Sequence, residues 1–196
     1  MSKRTIEGKY PSSSEKILSS LVFTNQSDTI AMHAPTGNAL LVLISLTLVL
    51  HNAEEYLAFP AFFASAGGRL GHWFPAAGLA RTSRRLPRAL LLATVLPLLV
   101  IAAAFVTGSH ALLVAALFIE TVLLVNAVGH SLTALLWGSY VPGLITAVVI
   151  NLPVGIYVLQ RALREQWIRP NAAWQLIGVA IALHLIWHSS VYWRAR

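Results

Sequence analysis

The sequence predicts an all-α fold, a polytopic transmembrane helix bundle of about five spans. Three observations carry this. Apolar residues make up 57% of the 196-residue chain and charged residues only 11%, whereas a soluble domain carries about 25% charged residues because something polar must face water. The apolar residues gather in five runs, each near the roughly 20 residues that cross a bilayer as a helix. No run alternates as a strand would, and backbone polar groups inside lipid must be satisfied within their own segment, which selects helices. A soluble enzyme, a disordered chain and a fibrous protein are thereby excluded.

Residues 1–36 differ from the rest. They hold all three lysines, Lys3, Lys9 and Lys16, together with Arg4, and beyond Thr36 every basic residue is arginine. Their apolar runs, such as Leu21-Val22-Phe23, are too short for the core of a signal peptide. Two readings stand: a polar, disordered extension, or a natural start at Met32, a few residues before the first span. The transmembrane domain is expected over 37–196.

The first span is expected from about Gly37 to Phe59, stopped by Pro60, because an internal proline removes a helix hydrogen bond. The second runs from about Leu86 to Val106 and the third from about Ala111 to Trp137. The fourth runs from about Pro142 to Leu163, with Pro142 suited to a first helical turn. The fifth runs from about Ala172 to Tyr192. Thr107-Gly108-Ser109 and Gly138-Ser139-Tyr140 are breaks short enough to force antiparallel hairpins. The stretch from Ala61 to Ala80 carries Phe62, Phe63, Trp73 and Phe74 but is broken by glycines and Pro75. It reads as an interfacial or re-entrant segment.

The net charge of +7 sits in short arginine clusters between apolar runs. That is the pattern of membrane-flanking cations, so the bilayer is the expected partner and nucleic acid is not. Arg69, Arg81, Arg84, Arg85 and Arg88 lie between spans one and two and share a side with Arg194 and Arg196. Weighting charges near the spans makes that side cytoplasmic and places the N-terminus outside. The chain has no cysteine, which excludes disulfides, thiolate metal sites and cysteine nucleophiles.

Ionisable groups inside hydrocarbon are costly and mark candidate sites. His51 lies three and four residues before Glu54 and Glu55, so all three can share a helix face. Acidic groups at a helix C-terminus also oppose the macrodipole, which makes them poor capping choices. Asn126 and His130 are four apart. Glu120 lies ten residues before His130, roughly 80° around the helix and about 15 Å along it. His184 and His188 are again four apart, a spacing that can bind one metal ion. Spans one, three and five run in one direction, and their histidines all fall in the later halves. These groups therefore belong toward one leaflet, with Glu120 and Asn151 nearer the midplane. The candidate metal ligands are His51, Glu55, His130, His184 and His188. The candidate catalytic residues are Glu54, Glu55, Glu120 and Tyr140, the last as an interfacial anchor or a proton donor near His130. Pro142 and Gly143 suit a tight turn.

His51-x-x-Glu54-Glu55, the later His130 and Tyr140-x-Pro142-Gly143, in that order, resemble the motifs of the HXXEE family of bacterial integral membrane proteins. The resemblance covers about Gly37 to the C-terminus and implies a multi-pass protein of the bacterial inner membrane. That family has no established activity, so the resemblance marks residues without naming a reaction. His184 and His188 lie outside its motifs.

The residues fit a membrane-embedded enzyme that uses a divalent metal, zinc or iron, on a lipid or isoprenoid substrate. A metal-free acid–base isomerase is the main alternative, with Glu54 or Glu55 moving a proton and His51 and His130 tuning it. Five spans with intramembrane His and Glu are similar to the emopamil-binding sterol isomerases, without a shared motif. A proton or metal-ion carrier would use the same groups but lacks the internal repeats common in transporters. Paired histidines would also suit haem.

Overall fold

Every described element is helical. The computed structural model describes residues 34–70 and 76–195, with side chains from 37 onward except 66–82, 187, 188 and 190–195. The expected N-terminal extension up to residue 33, the alternative start at Met32 and the side chain of His188 lie outside the described residues. The helices are α1 (Ala34–Leu70), α2 (Ala76–Thr107), α3 (His110–Trp137), α4 (Leu144–Arg164) and α5 (Pro170–Ala195). Among the described residues four helices are long and apolar enough to cross a membrane: Gly37–Ser65 of α1, Ser83–Thr107 of α2, α3 and α4. The described apolar part of α5 is the shorter Pro170–Ile186.

Hydrogen bonds fix the alternation of the helices. At one end, His110 Nε2–H donates to the Trp167 carbonyl at 2.9 Å, tying the α2–α3 turn to the α4–α5 connection. At the other, the Tyr140 hydroxyl donates to Glu54 at 2.7 Å, setting the α3–α4 turn beside α1. The turns fall where the glycines predict. Gly138 closes α3 in the left-handed conformation, φ 60°, and Gly108 has φ 61°. α3 is the central helix. It packs on α2, α4 and α5, buries Leu113, Ala116, Leu117, Leu123 and Ala127, and reaches α1 through side-chain bonds described below. The outer surface is leucine-rich: Leu135 and Leu136 are 78% and 82% exposed. Such a surface is unfavourable in water and at home in hydrocarbon.

Three boundaries differ from expectation. Pro60 does not stop the first helix; α1 runs through it to Leu70. Phe59, Phe62 and Phe63 lie three and four apart and pack on one another, Phe59 and Phe63 at 5.5 Å between ring centres. That packing continues the helix past the missing donor, and helices surrounded by apolar neighbours tolerate an internal proline. Residues 61–70 are therefore no separate re-entrant segment. Trp73, Phe74 and Pro75 fall outside the described residues, and α2 begins at Ala76, ten residues before its expected start. Pro142 lies in the turn before α4 rather than in its first helical turn. Gly143 caps that helix at φ 85°, and the Leu144 N–H donates to the Val141 carbonyl at 3.1 Å.

Candidate metal centre

α1 presents Thr47, His51 and Glu55 at four-residue steps, a polar stripe on one helix face. Thr47 and His51 are fully buried and Glu55 nearly so. α3 brings Asn126 and His130, also four apart, to the same level. The His51 and His130 rings meet edge to face at 5.2 Å. Glu55 Oε1 lies 3.0 Å from His130 Nε2 and 3.7 Å from His51 Nε2. One ligand atom from each of His51, Glu55 and His130 falls within 4.8 Å of the others, a group that could hold a metal ion.

The hydrogen bonds fix the tautomer of His51. His51 Nδ1 is 2.9 Å from Thr146 Oγ1, and that hydroxyl donates to the Gly143 carbonyl at 3.2 Å. Oγ1 therefore accepts from Nδ1–H, and Nε2 keeps its lone pair for the centre. The Asn126 amide donates to His51 Nε2 at 2.8 Å, and its nitrogen lies 3.1 Å from His130 Nε2. Two imidazole nitrogens and a carboxylate oxygen thus converge on one small volume. A tetrahedral ion with ligand bonds of about 2.0–2.2 Å separates its ligands by about 3.4 Å, and 3.0 and 3.7 Å bracket that spacing. The donor set fits a divalent ion.

Gly143 makes the approach possible. A Cβ there would lie 2.8 Å from His51 Cε1, 3.1 Å from Glu55 Cγ and 3.1 Å from His130 Nε2. Only a residue without a side chain lets the turn press against all three groups.

The two adjacent glutamates do different work. Successive helix residues point about 100° apart, so Glu54 faces away from the centre and toward the start of α4. Its carboxylate accepts the Ile145 N–H at 3.1 Å, the Thr146 N–H at 2.7 Å and the Tyr140 hydroxyl. These amides belong to the first turn of a helix, where unpaired donors and the macrodipole both favour an anion. Tyr140 accordingly bonds Glu54, not His130. Burial, the bond to Glu54 and the charges of Glu54 and Glu55 push its phenol up to about 12.

Glu120 is fully buried and stands apart from the centre, bonded to Thr47 at 3.1 Å. His184 is not in the ligand group either. Its ring lies against α3 at Gly129, where a Cβ would come within 2.8 Å of Nε2. It lines a cavity of about 340 Å³ that also takes in His130. Phe59, Phe62, Trp137 and Leu185 supply apolar walls, and Trp137 and Leu185 are exposed on the outer surface of the bundle. Sequence reasoning missed Thr47 and Thr146. The four-residue stripe on α1 signals Thr47. Nothing local signals Thr146, whose role depends on a contact 95 positions away.

The profile of the family of proteins of unknown function with an HXXEE motif matches residues 42–158. The chain belongs to the HXXEE family. No curated protein and no solved structure matches it significantly. In this member the motif's histidine and second glutamate line the centre, while its first glutamate holds the turn that carries Gly143. The matched span includes His51, Glu55 and His130 but not His184 or His188.

Proposed function

We propose that this HXXEE protein is a membrane-embedded, metal-dependent enzyme acting on a lipid or isoprenoid substrate. His51, Glu55 and His130 are its ligands. The observation that carries this reading is the convergence of their three ligand atoms within 4.8 Å beside an apolar cavity. Two imidazoles and one carboxylate are a ligand set used by catalytic zinc and by non-haem iron, in both cases with a coordination position left for substrate or water. When bound, such an ion polarises an oxygen of the substrate or activates a water.

The chain's own residues supply the rest. Thr146 orients the His51 ring, as outer-shell partners of metal-binding histidines do. Asn126 offers an N–H donor beside the two imidazoles and can hold a polar substrate atom. The cavity walls exclude water and accept an apolar chain, and its exposed rim at Trp137 and Leu185 suits entry from lipid. The leucine-rich exterior supports a bilayer setting, and the family resemblance supports the bacterial inner membrane.

A metal-free acid–base enzyme is the second reading. It is favoured by the Asn126 amide, which satisfies the His51 lone pair without an ion, and by the 3.0 Å approach of Glu55 to His130.

Metal analysis of detergent-purified protein, before and after reconstitution with zinc or iron, separates the two. A stoichiometric ion in the wild type, lost in both His51→Ala and His130→Ala, is expected. Wild-type protein that takes up neither ion overturns the metal reading and leaves Glu55 and His130 as a proton-transfer pair.

A further inference from the structure

Glu120 and Asn151 are fully buried, and neither is used by the centre described above. Glu120 Oε1 has no hydrogen-bond partner among the described residues, nor has either polar atom of the Asn151 amide. Buried polar groups without partners are rare, and each calls for an occupant or a charge state that satisfies it.

Both residues belong to the packing of α3 against α4. A Cβ at Gly155 would lie 3.1 Å from the Leu124 side chain and 3.3 Å from Glu120 Oε1, so α4 passes the carboxyl at a glycine. Asn151 is four residues before Gly155 and lies on the same face of α4, one turn nearer the metal centre. It ends the π turn Ala147–Asn151. A π turn places residues five apart above one another, which brings Asn151 into line with Thr146, the hydrogen-bond partner of His51. From the other side, Thr47 contacts Glu120 and sits one turn before His51 on α1.

Hydrogen counting favours a neutral carboxyl. The Thr47 hydroxyl has one hydrogen. Its oxygen lies 2.8 Å from the Ile44 carbonyl, which can only accept, and 3.1 Å from Glu120 Oε2. That one hydrogen cannot serve the Ile44 carbonyl and an ionised Glu120 at once, whereas a hydrogen on a neutral carboxyl serves the second contact. No described ion pair involves Glu120, and an unpaired buried carboxylate is strongly disfavoured. The occupant follows from the amide. Asn151 lacks partners for a donor and for an acceptor, and a water satisfies both kinds at once whereas a cation satisfies only acceptors.

We propose that Thr47, Glu120 and Asn151 form a buried proton-holding site, in which Glu120 is a neutral carboxylic acid linked to the Asn151 amide by internal water. Thr47 lies one helical turn from His51, and Asn151 one turn from Thr146. It stores a proton one turn of α1 below His51, and it stands whether or not the centre binds a metal.

Infrared spectroscopy of the full chain in lipid nanodiscs, in H2O and D2O, tests this. The wild type should show the carbonyl stretch of a protonated carboxylic acid, shifted down on deuteration. That band should vanish in Glu120→Gln, whose amide mimics a neutral acid and keeps the fold. Gly155→Ala places a methyl group against Oε1 and Leu124, which crowds out a water at Oε1 and should move the band to the higher frequency of a carbonyl without a hydrogen bond. Absence of the band in wild type, or its persistence in Glu120→Gln, overturns the neutral acid. An unmoved band in a folded Gly155→Ala protein overturns the water. A thermal midpoint that rises with sodium over choline in wild type but not in Glu120→Gln would replace the proton with a bound cation and overturn the proposal.

Discussion

The Glu54 carboxylate accepts the backbone N–H of Thr146 at 2.7 Å, across 92 positions of sequence. Through that bond α1 holds the first turn of α4, and Thr146 in turn orients His51. Glu54→Ala should therefore weaken metal binding without removing a ligand. Outer-shell changes of this kind cost about 10- to 100-fold in affinity, against near-total loss for Glu55→Ala. Isothermal titration with zinc on both variants gives the comparison, and equal losses would contradict the division of labour between the two glutamates.

Gly143 and Gly138 form a matched pair of tests. Both have positive φ, but a Cβ meets nothing within 4 Å at Gly138 and three groups of the centre at Gly143. Alanine in the left-handed region costs about 1–2 kcal/mol. Gly138→Ala should show only that. Gly143→Ala adds overpacking of about 1–3 kcal/mol and should also abolish metal binding. Thermal midpoints and metal content of the two variants check this.

Much of the architecture is legible in the sequence. Helices follow from apolar runs in lipid, and Gly108 and Gly138 mark the turns because few other residues adopt their conformation. The convergence of His51 with His130 follows from helix direction and position along each span. The separate roles of Glu54 and Glu55 do not follow, because spacing leaves both near His51 and only packing against α4 divides them. Pro60 misleads because the lost donor is read at a single residue, while the Phe59, Phe62 and Phe63 packing that offsets it spans the next turn. His184 and His188 share a metal-like spacing, yet where the His184 ring points is decided by the Gly129 backbone it leans on.

Tyr140 should be among the last tyrosines to ionise. Its pKa is raised from 10.0 to about 12. The stability linked to this shift is fully present below pH 10 and is lost as pH rises through about 12. Ultraviolet titration of wild type against Tyr140→Phe should place the missing tyrosinate at the alkaline end. Tyr140→Phe should also lower stability modestly at neutral pH, by about 1 kcal/mol for one lost hydrogen bond. A missing transition near 10 would show that Glu54 does not hold the phenol.

The cavity and the metal centre can be separated at His184. The ring sits where a Cβ on Gly129 would meet Nε2 at 2.8 Å, and it lines the cavity without joining the ligand group. His184→Ala should therefore keep the metal, because His51, Glu55 and His130 remain, and should change what the cavity accepts. Gly129→Ala pushes the ring aside and should reproduce that change with the imidazole still present. The measurement is displacement of a fluorescent fatty acid or isoprenoid alcohol from protein in nanodiscs, with metal content followed in parallel. Weaker lipid displacement with full metal content in both variants would assign His184 to substrate recognition. Loss of metal in His184→Ala would instead make it a ligand and require a centre larger than the three residues that converge here.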